Sequence, residues 1–254
     1  MDPSSVYAFA TWRYGNSALN DISPIPTVLS VKDVHKEYPT DPPVHALRGA
    51  TFEVQSGELV SIVGPSGCGK STLLNLMGTL DRPTSGRLVV AGHKISELSD
   101  GELSALRAHH IGFVFQQFHV LSGMSALDNV ADGLLYTGLP RNQRRELAEM
   151  ELRRVGMAHR LDQVANKLSG GELQRVATAR AIIGNPSIVL ADEPTGSLDT
   201  VNSDAIVDLI RELHSGGTTI VVITHNPEIA NSFPRVISMR DGQVESDSMS
   251  QVSG

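Results

Sequence analysis

The segment GPSGCGKST carries the residue types that bind phosphate groups, and we call it the phosphate loop. It matches the spacing G-x-x-x-x-G-K-S in full. Its glycines allow successive backbone N–H groups to curl around an anion. A strand-like run precedes it and a helix-like run follows, which favours a nucleotide site over a chance glycine turn. The candidate nucleotide-binding residues are Gly64, Pro65, Ser66, Gly67, Cys68, Gly69, Lys70, Ser71 and Thr72.

Two side chains of the phosphate loop have specific predicted roles. Lys70 is expected to neutralise charge on the β- and γ-phosphates, and the Ser71 hydroxyl is expected to bind Mg²⁺. Cys68 is expected to contribute only its backbone, because a small tolerated residue is a simpler interpretation than a catalytic thiol. It is the single cysteine of the chain, so no internal disulfide can form and a cytosolic, reducing setting fits.

Further polar residues follow three other strand-like runs. GFVF ends before Gln116, IVLA ends before Asp192 and Glu193, and TIVVIT ends before His225. Ligands in open parallel sheets bind beyond the carboxyl ends of the strands. We therefore expect these residues to share one sheet edge with the phosphate loop.

The residues at these strand ends predict nucleotide hydrolysis. In nucleotide hydrolases an aspartate such as Asp192 holds Mg²⁺, and Glu193 is placed to polarise an attacking water. A neutral His225 could bridge the γ-phosphate and that water, and Gln116 could contact Mg²⁺ or water. The alternatives are that Asp-Glu-Pro only ends a strand and forms a turn, and that His225 has only a structural role. A complete phosphate loop in the same chain makes both alternatives less favoured. For Gln116 a solvated side chain stays an open alternative.

Tyr38, in KEYP, is a candidate for stacking on the adenine base. An aromatic ring offers a face to any base, and such stacking stabilises binding by ~1–3 kcal/mol. From the sequence alone, a tyrosine that only packs within a strand is an equally good interpretation.

The elements that must position these residues predict an α/β fold. The apolar runs SIVLA and TTIVVIT are separated by the helix-like VNSDAIVDLIRELHSGG, which indicates a parallel sheet covered on both faces. Candidate helices dominate about residues 93–170. One of them, RNQRRELAEMELRRVG, places Ala148, Leu152 and Val155 on one stripe and ends at Gly156.

Composition limits the classes of partner. The chain of 254 residues has 28 acidic and 21 basic side chains and a formal net charge of -7, so no nucleic acid is expected as the main partner. Its apolar runs are far shorter than the ~18 residues of a membrane span. At a membrane, another chain would have to supply the spans. We expect a flexible leader over 1–27, a domain over 28–244 and a flexible tail over 245–254.

LSGGE (Leu168–Glu172), which we call the signature segment, is a second candidate phosphate site, because unpaired N–H groups at a helix start attract anions. It resembles the signature of ABC ATPases. The order of phosphate loop, Gln116, signature, Asp-Glu strand, D-loop (Gly196–Asp199) and His225 is also similar to that family. From about Val28 to Val244 the chain therefore resembles the ATP-binding subunit of ABC transporters.

This resemblance implies a P-loop NTPase fold with a parallel core sheet, an N-terminal antiparallel β subdomain and an inserted α-helical subdomain. It implies ATP and Mg²⁺, and a head-to-tail homodimer in which one chain's signature closes on the γ-phosphate held by the other chain's Lys70. Asp199 would lie at that interface. The signature residues implied to contact the nucleotide are Ser169, Gly170, Gly171 and Glu172.

A finer resemblance is to the macrolide-exporter and lipoprotein-release type, through LMGTLDRPTSG, IGFVFQQFHVLSGMSALDNV and LADEPTGSLDT. It implies an integral membrane FtsX-like permease partner and a location on the cytoplasmic face of the membrane. Phe118, Val120, Leu121 and Met124 fall where such ATPases receive the permease's coupling helix. Packing within the helical subdomain is an equal interpretation of these four residues.

Three alternatives to a transporter ATPase follow from the same motifs. An ATPase that drives mechanical signalling through an FtsX-like partner is not separable from a transporter. A soluble ABC ATPase of DNA repair or translation usually shows two cassettes, a long coiled-coil insertion or strong basic patches, which this sequence lacks. A regulatory module that binds ATP without hydrolysing it is disfavoured by Glu193 and His225.

Overall fold

A computed structural model describes residues 25–251, which form two β-sheets and their covering helices. The first sheet is antiparallel, with the strand order β2-β1-β4-β5. Its strands are β1 (Thr27–Tyr38), β2 (Val44–Gln55), β4 (Ser85–Val90) and β5 (His93–Lys94). The second sheet contains β3 (Leu59–Val63), β6 (Ile111–Phe115), β7 (Ile188–Asp192), β8 (Ile220–Thr224), β9 (Arg235–Arg240) and β10 (Gln243–Asp247).

The second sheet has the strand order β10-β9-β3-β8-β7-β6 and is the core of the molecule. Strands β3, β6, β7, β8 and β9 run parallel, and β10 is antiparallel to β9. In β8, Val221 and Ile223 pack in one hydrophobic core and Val222 packs in a second core on the opposite face. The prediction of a parallel sheet covered on both faces is confirmed, because a strand buried on both sides needs a continuous apolar run.

Seven α-helices lie within the described residues. They are α1 (Lys70–Met77), α2 (Asp100–His110), α3 (Ala126–Ala131), α4 (Arg141–Arg154), α5 (Gly170–Ile182), α6 (Thr200–Ser215) and α7 (Pro227–Asn231). The antiparallel sheet and α1 share the first core, and α3 to α6 share the second.

The amphipathic pattern predicted for α4 is present. Ala148, Leu152 and Val155 are all buried against the second core. Gly156 follows the helix with a φ of 78°, the left-handed conformation that glycine adopts at low cost. The C-cap itself is Val155, one residue before the predicted Gly156.

The helical subdomain expected over about 93–170 contains two elements that belong to sheets. β5 pairs with β4, and β6 is the edge strand of the core sheet. The helical part proper therefore follows β6 and continues through α5 to Ile182.

The two expected flexible ends lie partly outside the described residues. Residues 1–24 of the leader and 252–254 of the tail are not described. Residues 245–247, which the sequence pattern assigned to the tail, are part of β10. Among residues 25–251, no helix is long and apolar enough to cross a membrane.

Candidate functional site

The register of the parallel strands aligns the candidate residues at one edge of the core sheet. Phe115 pairs with Asp192, Asp192 pairs with Ile223, and Val63 pairs with Thr224. The strands therefore end at one level, and the polar residues predicted after each strand lie along the same edge. Those that directly follow the aligned ends are Gly64, Gln116, Glu193 and His225.

The phosphate loop turns between β3 and α1 in a space that only glycine fits at two positions. A Cβ at Gly64 would lie 2.3 Å from the carbonyl oxygen of Met239. Gly69 has a φ of 101°, and a Cβ there would lie 2.4 Å from the carbonyl oxygen of Ala46. Gly69 is also the N-cap of α1 and has no side chain to cap the first N–H groups, which stay available to an anion.

The Lys70 side chain folds back across the phosphate loop. Its Nζ donates to the carbonyl oxygens of Gly64 at 2.6 Å and Pro65 at 2.9 Å, and lies 3.8 Å from Sγ of Cys68. Lys70 and Cys68 are both buried. A bound phosphate would take over the lysine from these carbonyl groups.

Asp192 is a half-buried carboxylate whose surroundings fit a divalent cation. Burial raises the pKa of Asp192 above its usual range, the adjacent Glu193 carboxylate raises it further, and Lys70 acts in the opposite direction. A cation would relieve this like-charge repulsion. Ser71, Gln116 and Asp192 each offer an oxygen atom, the ligand type that Mg²⁺ prefers.

Glu193 is held by the end of β8. Its Oε1 accepts from the backbone N–H of His225 at 2.7 Å and from Nδ1 of the same residue at 2.7 Å. Its Oε2 accepts from the hydroxyl of Thr224 at 3.0 Å. In this structure the His225 ring thus contacts Glu193, while both carboxylate oxygens have a donor. Thr224 was not among the predicted residues, and its only signal in the sequence is its position before His225.

Tyr38 lies near the phosphate loop with its ring fixed by two polar neighbours. Tyr38 of β1 pairs with Val44 of β2. Ala46, two residues further along β2, has its carbonyl group against Gly69 of the phosphate loop. The Tyr38 hydroxyl donates to Asp81 at 3.2 Å, and Nζ of Lys36 lies 4.9 Å from the ring centroid. This placement is compatible with adenine stacking and adds two neighbours that sequence motifs did not indicate.

The signature segment forms a capped helix start. The hydroxyl of Ser169, the N-cap of α5, accepts from the backbone N–H of Glu172 at 3.3 Å, and the Glu172 carboxylate accepts from the backbone N–H of Ser169 at 2.8 Å. Hydrogen bonds from Ser169 lower the pKa of Glu172, and Arg160 contributes in the same direction. The first helical positions are Gly170 and Gly171, which have no side chains of their own to shield their N–H groups.

The signature and the D-loop are joined within the chain by Asn202. A Cβ at Gly171 would lie 2.4 Å from Oδ1 of Asn202. Nδ2 of Asn202 donates to both carboxylate oxygens of Asp199, at 3.0 and 2.9 Å, and Asp199 caps α6. Gln116 also reaches the D-loop, because a Cβ at Gly196 would lie 2.8 Å from its Nε2.

The two glycine-led helix starts belong to different parts of the chain. Among residues 25–251, no hydrogen bond joins the phosphate loop to the signature segment. The phosphate loop bonds instead to the turn before β10, where Gly242 donates to the carbonyl oxygen of Cys68. The signature contacts Arg160 and Asn202. Each candidate phosphate site is therefore built separately.

A groove of about 330 Å³ lies beside the edge strand β6. Its lining includes Phe113, Phe115, His119 and Arg180. Arg180 donates to the carbonyl oxygens of Phe118 and His119 at 2.9 and 2.6 Å, which holds the segment after Gln116.

The four residues predicted to receive a coupling helix differ in exposure. Val120 packs against the second core, which favours internal packing for that residue. Leu121 is 52% exposed, and Phe118 and Met124 are half-buried. The outward-facing member of the set is therefore Leu121.

Known proteins share both the sequence and this architecture. A family model described as ABC transporter matches residues 47–196. The chain is 49% identical over 227 residues to the macrolide export ATP-binding/permease protein MacB of Chlorobium luteolum. The aligned region covers 89% of this chain and 34% of MacB. The chain thus spans about a third of the MacB proteins it matches. It is 48% identical to YknY, an uncharacterized ABC transporter ATP-binding protein of Bacillus subtilis, covering 82% of this chain and 90% of YknY.

Solved structures agree with the sequence relatives. A dimeric structure of the ABC transporter cassette MJ0796 is 40% identical, with a TM-score of 0.78 and coverage of 86% of this chain and 97% of that chain. A second dimeric structure of MJ0796, in a post-hydrolysis state with ADP and Pi, has the same TM-score of 0.78 at 39% identity and the same coverage. The family match, the relatives aligned over most of this chain and the shared fold lead to one identification: the chain belongs to the ABC transporter family, as one of its ATP-hydrolysing cassettes.

Proposed function

We propose that this chain is the ATPase subunit of an export-type or lipoprotein-release-type membrane transporter. It works as a head-to-tail homodimer, docked to an FtsX-like permease on the cytoplasmic face of the membrane. The observation that carries the proposal is that two glycine-led helix starts, the phosphate loop and the signature segment, are built separately. The MacB relatives support the transporter type, and the dimeric MJ0796 structures support the assembly.

In this proposal the phosphate loop and Lys70 hold the phosphates of ATP. Ser71, Gln116 and Asp192 would hold Mg²⁺, which would supply positive charge to offset that of the phosphates. Tyr38 stacks on the adenine base. Because the catalysis of phosphoryl transfer is mainly positioning and charge stabilisation, these contacts define most of the site.

The second copy of the chain completes the site. Ser169, Gly170 and Gly171 of that copy close on the γ-phosphate, while Asp199 lies at the interface. Glu193 polarises the attacking water, and His225 shifts from Glu193 towards the γ-phosphate. Hydrolysis removes the group that both chains contact, so it shifts the population from closed to open dimers.

The groove beside β6 is the surface proposed to receive the permease. Its apolar floor and the exposed Leu121 suit an amphipathic helix laid into a groove. Leu135 and Tyr136 extend the apolar surface, with 45% and 83% exposure, and follow Gly133, which lines the groove. An exposed apolar patch of this kind is typical of an interaction site.

Glu193→Gln tests the proposed site directly. Loss of the base should lower ATP turnover by ~10²–10⁴-fold. ATP should stay bound, because the phosphate loop is intact, and the chain should elute from a sizing column as an ATP-dependent dimer. Glu146→Gln, an exposed site on α4, is the matched control and should keep wild-type turnover. A Glu193→Gln chain that stays monomeric with saturating ATP would contradict the proposal.

A further inference from the structure

We propose that Thr224 is a positioning residue for ATP hydrolysis, whose buried hydroxyl sets the orientation of the Glu193 carboxylate. This inference rests on the proposed role of Glu193 as the residue that polarises water. Thr224 belongs to no motif that was used to define the site. It enters only through its contact with Glu193, which is 31 residues away in sequence.

The Thr224 hydroxyl is held from both sides. It donates to Oε2 of Glu193 at 3.0 Å and accepts from the backbone N–H of Asn226 at 3.1 Å. The residue is 1% exposed, so no solvent competes for these bonds. Because a carboxylate can only accept, the single hydroxyl proton of Thr224 is committed to Glu193.

Glu193 has two other donors, one of which belongs to an exposed side chain. They are the backbone N–H and the ring of His225, and the ring side chain is 64% exposed. In the proposed reaction the ring moves towards the γ-phosphate and releases part of its hold on Oε1. Thr224 lies in β8, where it pairs with Val63 in the core sheet, so it cannot move with the His225 ring. Its hydroxyl is then the fixed side-chain contact that keeps Oε2 in place.

Fixing Oε2 also orients Oε1, because the two oxygens share one planar group. The backbone of Glu193 is already restrained, with a φ of 45° and its N–H bonded to the carbonyl oxygen of Ile223 at 2.8 Å. The remaining freedom is rotation of the side chain. A base acts only within hydrogen-bond reach of its proton, so a small misorientation has a large effect on rate.

Thr224→Val is the test, because valine keeps the shape of threonine and lacks the hydroxyl. The kcat for ATP should fall ~10- to 100-fold, whereas KM and the Kd for ATP should change less than about threefold, since no nucleotide contact is lost. Thr224→Ser restores the hydroxyl and should recover most of kcat. A Val variant with kcat within twofold of wild type overturns the inference, as does a Ser variant as impaired as Val.

Thr219→Val is the matched control. Thr219 is also buried, directly precedes β8 at its other end, and its hydroxyl accepts from the backbone N–H of Gly57 at 2.9 Å. Its Val variant should keep kcat while losing comparable thermal stability. If Thr219→Val lowers kcat as much as Thr224→Val, the effect is general loss of structure and the inference is wrong.

Glu193→Gln, measured in parallel, separates this inference from the proposed function. If the Gln variant keeps wild-type turnover, the role of Glu193 itself is wrong. If the Gln variant is inactive and Thr224→Val is unaffected, only the assignment of Thr224 fails.

Discussion

Three side chains of the proposed ATP site form hydrogen bonds within the chain. Lys70 is bonded to two loop carbonyl groups, Glu193 to the end of β8, and Ser169 to Glu172. ATP binding therefore exchanges internal hydrogen bonds for bonds to the ligand. The net gain of each exchange is small, and affinity must come from several contacts acting together.

Tyr38 offers a test of one such contact. Tyr38→Ala should weaken ATP binding ~5- to 150-fold, the equivalent of the ~1–3 kcal/mol of a base–aromatic stack. Tyr38→Phe keeps the ring and loses only the hydrogen bond to Asp81, so its Kd should stay close to that of wild type. Calorimetric titration with ATP measures both. Equal Kd values for the Ala variant and wild type would show that Tyr38 only packs within its strand.

For individual residues, the sequence predicted those in motifs and missed the residues that they contact. Gln116, Glu193 and His225 were found because each follows a strand-like apolar run. Asn202 could not be found, because its contact with Gly171 depends on how α5 and α6 pack. Thr224 was missed for the same reason, since its role depends on the alignment of β7 and β8.

Among the elements, β10 shows how an ion-pair cluster orders a polar segment. Arg235 of β9 donates to Glu58 at 2.8 Å and to Asp247 at 2.7 Å, with its side chain only 10% exposed. β10 has the sequence QVESD, and its last three residues, 245–247, were assigned to the flexible tail. Because a strand this polar is specified by its ion pairs, hydrophobic periodicity alone could not predict it.

Asp247→Asn tests the contribution of this cluster to stability. Burial acts to raise the pKa of Asp247, but hydrogen bonds from Arg235 and the backbone N–H of Met249 outweigh it and set the pKa below its usual range. A carboxyl with a lowered folded pKa stabilises the fold above its unfolded pKa, and this stabilisation is lost as pH falls through the folded pKa. The Asp247→Asn substitution should lower the free energy of unfolding by ~1–3 kcal/mol at pH 7.

Denaturant unfolding at several pH values checks this prediction. The difference between wild type and Asp247→Asn should narrow below pH ~4, near the pKa of an unfolded aspartate. Glu245→Gln, which breaks the exposed pair with Arg240, should cost less than ~1 kcal/mol. A difference between Asp247→Asn and wild type that is independent of pH would contradict the ion-pair account.

For the whole molecule, the apolar runs were enough to predict the layered α/β fold, because a parallel sheet leaves a strong sequence signal. The subdomain boundaries were harder. β6 is a short apolar strand inside a mostly helical region, and its place at the sheet edge follows from pairing with β7. The run GFVF was predicted as a strand, but a strand-like run alone does not show which strand it pairs with.

The central claim is that two chains share each ATP. Chains carrying Lys70→Ala keep an intact signature, and chains carrying Ser169→Arg keep an intact phosphate loop. Each is expected to be inactive alone. In an equal mixture, half of the dimers pair the two variants and carry one intact composite site of two.

ATP turnover of that mixture is the most direct test of the claim. If one site can act alone, turnover should return to at most about a quarter of wild type, since each mixed dimer of a two-fold assembly has one complete site. A mixture of Lys70→Ala chains with the Lys70→Ala/Ser169→Arg double variant has no complete site and should stay inactive. If the first mixture stays inactive although mixed dimers form, and the wild-type chain hydrolyses ATP as a monomer, the site is made within one chain and the account is wrong.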